Sequence, residues 1–333
     1  MIDTIYIEEE IKDHPRAIDI SSRFKNARVL TINKFGELFN KKSQSFRLQK
    51  RNPALILAKK AGRRVLPAPK GFGIGGHKNY YFSHMYNCLY DCSYCFLQGL
   101  YTSADYVVFV NYEDFLEEII EKSEKNPFSV KTFFSGYDCD SLAFDKITGF
   151  AKYFLPRLRK IENCEFELRT KSINIEVLKS MEPIKNCIIA FSLSPDEVAK
   201  TLDEKAPSIK RRLDAMKNLV DQGWNVGLRF DPLIYSEDWD RMYSKLFDKC
   251  FEIIDNNKVH SVSFGPLRFP KAMYKKIKID RPKDKLFIGP FEMNNGTVAY
   301  KNDLEKQMSD FCQDQLSRKL GKEKIFHCLS DLG

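Results

Sequence analysis

Short apolar runs alternate with segments of helical periodicity from residue 80 onward. This alternation is typical of parallel strands joined by crossover helices. The predicted strands are 81–86, 130–135, 165–170, 187–193, 226–232 and 260–264, and the predicted helices are 112–122, 144–157, 175–180, 209–221 and 236–254. Six such units do not close the usual eight-stranded barrel. The pattern therefore predicts an α/β fold, an open, partial β6α6 TIM-like barrel, with its chemistry at the carboxyl ends of the strands.

Residues 1–77 are predicted to form a small basic N-terminal region that is separate from the barrel. A short helical pattern covers 55–60, and prolines and glycines follow at 67–76. The glycine run at 71–76 lacks the preceding strand and the following Lys-Ser/Thr of a phosphate-binding loop. We expect it to be a flexible connector.

Composition narrows the class of protein. With 43% hydrophobic and 30% charged residues, the chain of 333 residues is typical of a globular protein. It has neither an apolar run of about 18 residues nor a secretory signal, so we expect a cytoplasmic protein with no membrane partner. Nine cysteines, mostly isolated, do not resemble a disulfide framework, and we expect reduced thiols.

Charge is distributed unevenly along the chain. Between Leu38 and Tyr90 there is no Asp or Glu, although this basic segment contains eleven Lys or Arg residues. They are Lys41, Lys42, Arg47, Lys50, Arg51, Lys59, Lys60, Arg63, Arg64, Lys70 and Lys78. The basic segment favours two interpretations equally, a polyanion-binding surface or an ordinary solvated basic face.

Three cysteines with short spacing follow the first predicted barrel strand. They are Cys88, Cys92 and Cys95, in the sequence Cys-Leu-Tyr-Asp-Cys-Ser-Tyr-Cys-Phe. On a helix this spacing would place them on one face, as a buried apolar stripe. A zinc site is a second possibility, with His84 as fourth ligand, although no second arm of zinc ligands is present. A third is a 4Fe-4S cluster, in which three thiolates leave one iron open to another ligand.

The cysteine spacing, with an aromatic residue before the third cysteine, resembles the radical S-adenosylmethionine (SAM) superfamily. The resemblance implies two cofactors, a 4Fe-4S cluster and SAM bound at its open iron. It also implies one-electron cleavage of SAM to a 5′-deoxyadenosyl radical. On this basis residues 78–270 are the radical SAM partial barrel and 271–333 a C-terminal extension on the substrate side.

A more specific resemblance, over about residues 80–270, is to the spore photoproduct lyase family. It rests on Tyr94–Gln98, Val110–Asp114, Gly136–Ser141 with Ile147-Thr148, Arg169–Lys171, Phe191-Ser192, and Asp231–Tyr235 with Glu237 and Trp239. The resemblance implies a carbon–carbon lyase that reverts a thymine dimer in DNA. Damaged DNA and a small electron donor such as a flavodoxin or ferredoxin are the implied partners.

The same resemblance implies roles for individual residues. Cys139 is the expected hydrogen-atom donor and Tyr94 a member of the tyrosine relay that returns a hydrogen atom. The expected contacts to SAM are Ser141, Lys171 and Ser192. Each could also be an ordinary polar residue at a strand end.

Two departures from the family pattern concern the tyrosine relay, in which Tyr94 alone remains, and the substrate. Phe96 stands where the family commonly has tyrosine, and the family's aromatic, glycine-rich segment is not recognisable at 291–300. Two alternatives therefore stay open. One is a radical SAM enzyme acting on another nucleic acid or a protein, and the other is a non-catalytic, zinc-stapled nucleic-acid-binding module.

Overall fold

The computed structural model describes residues 2–125, 129–294 and 296–328. The last five residues of the predicted extension, 329–333, lie outside them. The strands are β1 (Thr4–Glu8), β2 (Arg28–Ile32), β3 (Leu55–Ala58), β4 (Val65–Pro67), β5 (Lys78–Phe82), β6 (Met85–Tyr86), β7 (Tyr106–Phe109), β8 (Lys131–Ser135), β9 (Cys164–Thr170), β10 (Cys187–Ser192), β11 (Asn225–Leu233), β12 (Val259–Pro266), β13 (Arg268–Pro270), β14 (Phe291–Asn294), β15 (Thr297–Tyr300) and β16 (Ile325–His327). The helices are α1 (Pro15–Ser22), α2 (Phe46–Gln49), α3 (Leu97–Leu100), α4 (Tyr112–Glu124), α5 (Asp145–Thr148), α6 (Phe150–Leu158), α7 (Glu176–Lys179), α8 (Asp196–Leu202), α9 (Ile209–Gln222), α10 (Trp239–Ile253), α11 (Lys271–Asp280) and α12 (Asn302–Ser317).

The largest sheet has eight strands, in the order β16-β12-β11-β10-β9-β8-β5-β4. Its six central strands, β5 and β8 to β12, are parallel, and each overlaps a predicted barrel strand. The first prediction, 81–86, overlaps β5 only at 81–82 and also includes β6, which belongs to another sheet. The sheet is open and strongly curled, so the predicted partial barrel is confirmed. A seventh parallel strand, β16, pairs with β12 at one edge, and antiparallel β4 ends the other.

Helix α9, one of the crossover helices, shows how the local sequence determines where a helix begins and ends. The Ser208 side chain accepts a hydrogen bond from the Arg211 amide at its start, and Gly223 ends it with a φ of 97°. Ile209, Leu213 and other apolar residues on one face are buried. The predicted helix over 144–157, in contrast, is divided into α5 and α6 by Gly149, which has a φ of 61°.

A second sheet contains the N-terminal strands, in the order β2-β1-β3-β7-β6. The helix predicted over 55–60 is wrong, because this segment forms β3, whose four residues are all buried between β1 and β7. A short apolar run has the same pattern in a buried helix and in a buried strand, and its neighbours decide. Two strands of this sheet, β6 and β7, come after residue 77. In contrast, β4, which precedes residue 77, pairs in the barrel sheet, so the chain passes back and forth between the two sheets. The three-part division at residues 77 and 270 stays a prediction.

A small antiparallel sheet, β13-β15-β14, and helices α11 and α12 complete the described chain. Helix α11 packs so closely on α3 that a Cβ on Gly99 would lie 2.5 Å from the Cβ of Met273. Among the described residues, no helix is both long and apolar enough to cross a membrane.

A buried ion pair lies inside the barrel. An Arg229 terminal nitrogen donates to Glu167 at 2.7 Å, and both side chains are fully buried. Arg169 donates to the same carboxylate at 2.9 Å. Burial alone would raise the pKa of Glu167, but the two arginines hold it at about 2.

Replacing this carboxylate should destabilise the fold. We expect Glu167→Gln to lower the free energy of unfolding by roughly 3 to 5 kcal/mol, because two buried guanidinium groups lose their counter-ion. Because the folded-state pKa lies below the unfolded one, the stabilisation is complete above the unfolded pKa and declines as pH falls towards 2. Urea unfolding at pH 7 and at lower pH measures both effects.

Glu182→Gln is the matched control, since that side chain is 86% exposed and, among the described residues, pairs only with half-exposed Arg159. It should change stability by less than about 0.5 kcal/mol. Equal effects of the two variants would show that the buried pair is not a determinant of stability.

Candidate functional site

The three motif cysteines lie in an irregular loop between β6 and α3. The buried-helix interpretation is therefore wrong, since α3 begins only at Leu97, after the last cysteine. Two backbone hydrogen bonds hold the loop against the segment that follows α8. The amide of Asp91 donates to Glu204 O at 2.9 Å, and the amide of Ser93 donates to Leu202 O at 2.8 Å.

Two arginines also hold this cysteine loop. Buried Arg281, directly after α11, donates to the carbonyl of Asp91 at 2.9 Å and to its carboxylate at 2.7 Å. It also donates to Ser93 Oγ at 3.2 Å and to Gln98 at 2.8 Å. Arg47 from α2 reaches the same Asp91 carboxylate at 2.8 Å. The loop is therefore held by protein contacts independent of its cysteines.

The three thiols of the cysteine loop share one cavity. Cys92 is buried, Cys88 and Cys95 are half-buried, and all three line one cavity. No three His, Cys, Asp or Glu side chains in the described ranges converge on one metal ion. A cubane cluster needs no such convergence, because each thiolate binds a different iron. Burial raises the pKa of the Cys88 thiol to about 12, so iron must displace its proton.

His84 is not placed as a fourth ligand. Its ring stacks on Phe150 with centroids 3.7 Å apart, and it does not line the cavity of the cysteines. Burial lowers its pKa to about 3, and its Nδ1 has no hydrogen-bond partner among the described residues. The zinc site with His84 is therefore not supported.

Lys171 lies beside the cysteine loop at the carboxyl end of β9. Its Nζ is 3.3 Å from Cys92 Sγ and 2.9 Å from Asp203 Oδ1, and it donates to the Tyr94 hydroxyl. That hydroxyl in turn donates to Asp203, whose other oxygen accepts from buried Arg212 at 2.7 Å. Burial opposes the charge on Lys171, but Asp203, Cys92 and Tyr94 together outweigh it and raise the pKa of Lys171 well above its ordinary value.

Cys139 lies in the loop after β8, between two buried aspartates. Asp138 accepts from the hydroxyls of Ser83 at 2.6 Å and Tyr101 at 3.2 Å. Asp140 accepts from the Thr170 hydroxyl and the Lys171 amide, both at 2.6 Å. These bonds fix the backbone on both sides of Cys139, whose side chain lines the cavity although it is only 8% exposed.

The cavity encloses about 490 Å³ at the carboxyl ends of the parallel strands. Seven of the eight predicted site residues line it, namely Cys88, Cys92, Tyr94, Cys95, Cys139, Lys171 and Ser192. The eighth, Ser141, does not, because its hydroxyl donates to the carbonyl of Ser135 at 3.0 Å. A contact between that hydroxyl and SAM finds no support in this placement.

Several residues that shape the site had no signal in the sequence. Asp203 and Arg212 belong to an ordinary-looking helical stretch, and Arg281 to a basic stretch near the C-terminus. Their roles depend on partners 9 to 190 positions away in the chain. Only the aspartates beside Cys139 could have been found, from their position directly after a predicted strand.

The chain matches the family model of spore photoproduct lyase over residues 77–325. It belongs to the spore photoproduct lyase family. A spore photoproduct lyase of Clostridium acetobutylicum is 24% identical over 259 residues, 74% of this chain and 76% of the relative. The Bacillus subtilis spore photoproduct lyase is 21% identical over 290 residues, 85% of this chain and 83% of the relative.

The fold agrees with solved structures of that family. A spore photoproduct lyase mutant with bound AdoMet and dinucleoside spore photoproduct matches with a TM-score of 0.84, 16% identity and 98% coverage of both chains. A spore photoproduct lyase complexed with dinucleoside spore photoproduct matches with a TM-score of 0.83, also at 16% identity and 98% coverage. Family membership confirms the predicted cofactors, a 4Fe-4S cluster and SAM.

Fewer cations of the basic segment are available to bind a polyanion than its sequence suggests. Arg64 donates to Asp114 at 2.9 Å, Arg47 pairs with Asp91, and Lys59 lies 4.0 Å from Glu10. The acidic partners of these three cations come from outside the segment, which itself contains no Asp or Glu. Six of the eleven are exposed and form no ion pair among the described residues: Lys41, Lys42, Arg51, Arg63, Lys70 and Lys78.

Cluster assembly should require each motif cysteine. We expect Cys88→Ala, Cys92→Ala and Cys95→Ala each to lose most of the bound iron and the visible cluster absorbance after anaerobic reconstitution, because one iron of the cube loses its only protein ligand. The measurement is iron per chain together with the absorbance spectrum.

Cys250→Ala is the matched control, since Cys250 is buried in α10 and does not line the cavity. It should keep a full cluster. A motif variant that retained the wild-type iron content would contradict the ligand assignment.

Proposed function

We propose that this protein is a radical SAM lyase that reverts a thymine dimer of the spore photoproduct type in DNA. The observation that carries the proposal is that Cys139 lines the same cavity as the three motif cysteines. A hydrogen-atom donor beside the radical source is what a lyase needs after it opens a carbon–carbon bond. Family membership supports the same chemistry.

Cys88, Cys92 and Cys95 would hold the cluster, and Lys171 would meet the SAM carboxylate as a compact cation. When bound, cluster and SAM supply a 5′-deoxyadenosyl radical. Asp203 keeps Lys171 charged and positioned, and Ser192 faces the same cavity. The apolar side chains around them exclude water, which protects a carbon radical from side reactions.

Cys139 fits the donor role through its protonation state. Burial, together with the neighbouring acidic groups, raises the pKa of the Cys139 thiol well above its ordinary value. The sulfur therefore keeps its hydrogen at neutral pH, and only the S–H form can give a hydrogen atom to a substrate radical. Asp138 and Asp140 fix the loop but do not need to transfer protons.

The proposed role of Tyr94 in hydrogen return is constrained by its partners. Its hydroxyl donates to Asp203 and accepts from Lys171, and burial raises its pKa well above the ordinary value. The phenol therefore stays protonated beside the cluster loop. Phe96, which also lines the cavity, has no hydroxyl to contribute.

The six exposed cations of the basic segment support a DNA partner. Lys70 lies between Pro69 and Phe72 in the chain, and both of these line the cavity. The carbonyl of Lys41 accepts from the hydroxyl of Thr102, two residues after cavity-lining Leu100. Phosphate contacts at such positions would hold the duplex while the lesion is turned into the cavity. A flavodoxin or ferredoxin as electron donor, and a cytoplasmic location, stay predictions.

The test of this function is reversal of a dinucleoside spore photoproduct by the anaerobically reconstituted protein with SAM and dithionite. We expect thymidine as the product, measured by chromatography. Cys139→Ala should still cleave SAM and open the lesion, but release products quenched by other donors, because the substrate radical lacks its nearby thiol.

Cys164→Ala is the control for Cys139→Ala, since Cys164 is a buried core thiol at the start of β9. It should give thymidine like the wild type. If the wild type cleaves SAM but leaves the lesion intact, the substrate is another molecule. If Cys139→Ala gives the normal product ratio, Cys139 is not the donor.

DNA affinity should depend on salt through the exposed cations. We expect the double variant Lys41→Ala/Lys70→Ala to flatten the slope of log affinity against log salt by about one to two units, because two phosphate contacts are lost. Lys125→Ala/Lys217→Ala is the matched control, since these exposed lysines already pair with Glu121 and Asp221 on their own helices. Identical slopes for both pairs would contradict this DNA-binding surface.

A further inference from the structure

Part of the cavity wall carries charged groups that the mechanism above does not use. Arg169 comes from β9, Asp231 from β11 and Arg268 from the start of β13, and all three side chains line the cavity. We refer to them as the Arg-Asp-Arg array. Lys171, two residues beyond Arg169 on the same face, belongs to the cysteine side of the cavity.

The Nε of the Arg169 guanidinium is bound within the protein, whereas its terminal nitrogens are available to a ligand. Its Nε donates to Glu167 at 2.9 Å, and Phe72 lies 5.0 Å from its guanidinium carbon. One terminal nitrogen is 3.9 Å from Asp231 Oδ2, which is an ion pair but too long for a hydrogen bond. Within 2–125, 129–294 and 296–328, its terminal nitrogens donate no hydrogen bond, so they can donate to a ligand.

Asp231 is a half-buried acceptor beside two cations. It lies in the field of Arg169 and Arg268, and the Cys328 thiol lies beside it. Burial raises its pKa, while the two arginines act in the opposite direction. Its carboxylate has more lone pairs than one thiol can use, so it can accept a further N–H. Arg268 donates to the carbonyl of Cys328, which fixes its position at the wall.

Aromatic rings flank the array. The ring of Phe72 lies 4.8 Å from that of Phe134, and the rings of Tyr81 and Tyr137 are 4.3 Å apart. All four line the cavity. Enzymes that take a base out of the helix stack it between such side chains and read its Watson–Crick edge with hydrogen bonds.

We propose that Arg169, Asp231 and Arg268 form a recognition site for the imide edge of one pyrimidine of the lesion. The imide presents an acceptor, a donor and an acceptor in a row, and the array presents donor, acceptor and donor. Asp231 accepts from N3–H while the arginines donate to the two carbonyl oxygens. The inference rests on the proposed function, and scission of the carbon–carbon bond between the bases leaves both imides unchanged.

The array selects between pyrimidines. Cytosine has an unprotonated N3 and an amino group in place of one carbonyl, so it would set a lone pair against Asp231 and a donor against an arginine. A phosphate is a less suitable ligand, because Asp231 would repel it from between the two arginines. The array is thus a specificity site for thymine or uracil derivatives.

The experiment measures binding without turnover. The holoenzyme with oxidised cluster and SAM, but no reductant, is titrated calorimetrically with dinucleoside spore photoproduct and with the analogue methylated at N3 of both bases. We expect the methylated analogue to bind the wild type roughly tenfold to hundredfold more weakly, because N3–H is lost and Asp231 is left unpaired. In Asp231→Ala this difference should shrink to within about threefold.

Asp314→Asn is the control, since Asp314 on α12 pairs, within the described part of the chain, only with exposed Arg318 and does not line the cavity. It should show the wild-type difference. Asp231→Asn, of equal size, keeps the test available if Asp231→Ala does not fold, and it too should reduce the methyl effect. Neither measurement requires catalysis.

The possible results separate the inference from the proposed function. If the wild type reverts the lesion but binds both ligands equally, or if the methyl effect persists in both Asp231 variants, the imide site is wrong and the lyase stands. If inorganic phosphate competes with the lesion in the wild type but not in Arg169→Ala, the array is a phosphate site instead. A wild type that neither binds nor reverts the lesion overturns both.

Discussion

The site depends on the buried carboxylate of Asp203. One oxygen contacts Lys171 and Tyr94, and the other accepts from Arg212 at 2.7 Å. Arg212 in turn donates to the carbonyl of Ser192 at 3.0 Å. One side chain thereby joins the cysteine loop, the ends of β9 and β10, and α9. Burial of a charge is costly unless it is paired, so these groups must come together for the chain to fold.

The cysteine loop is a second consequence of buried charge. The loop has no regular secondary structure that could hold three thiols in place. Arg281 holds it instead, by donating hydrogen bonds to Asp91, Ser93 and Gln98. Arg281 is itself only 7% exposed. The close packing of α11 on α3 at Gly99 places Arg281 beside the loop. The segment that begins with α11 therefore holds the cysteine loop through Arg281 and also contributes Met273 to the cavity wall.

The cavity combines two environments that have different tasks. Cysteines and Lys171 lie on one part of its wall, and the Arg-Asp-Arg array with its aromatic neighbours lies on another. Radical chemistry favours apolar surroundings, whereas recognition of a base favours a few buried polar groups. The curled parallel sheet satisfies both, because each strand end contributes its own side chain to a shared cavity.

The sequence by itself determined the parallel strands, the partial barrel and the cluster motif, since strand period, helix caps and cysteine spacing are local patterns. The cysteine spacing, together with the resemblance to the spore photoproduct lyase family, also identified seven cavity-lining residues. Only the tertiary structure decided that 55–58 is a strand, that Ser141 turns away from the cavity and that Arg64 is neutralised. It alone showed the roles of Asp203, Arg212 and Arg281. Burial and ion pairing join residues far apart in the chain, and no local pattern records which of them will meet.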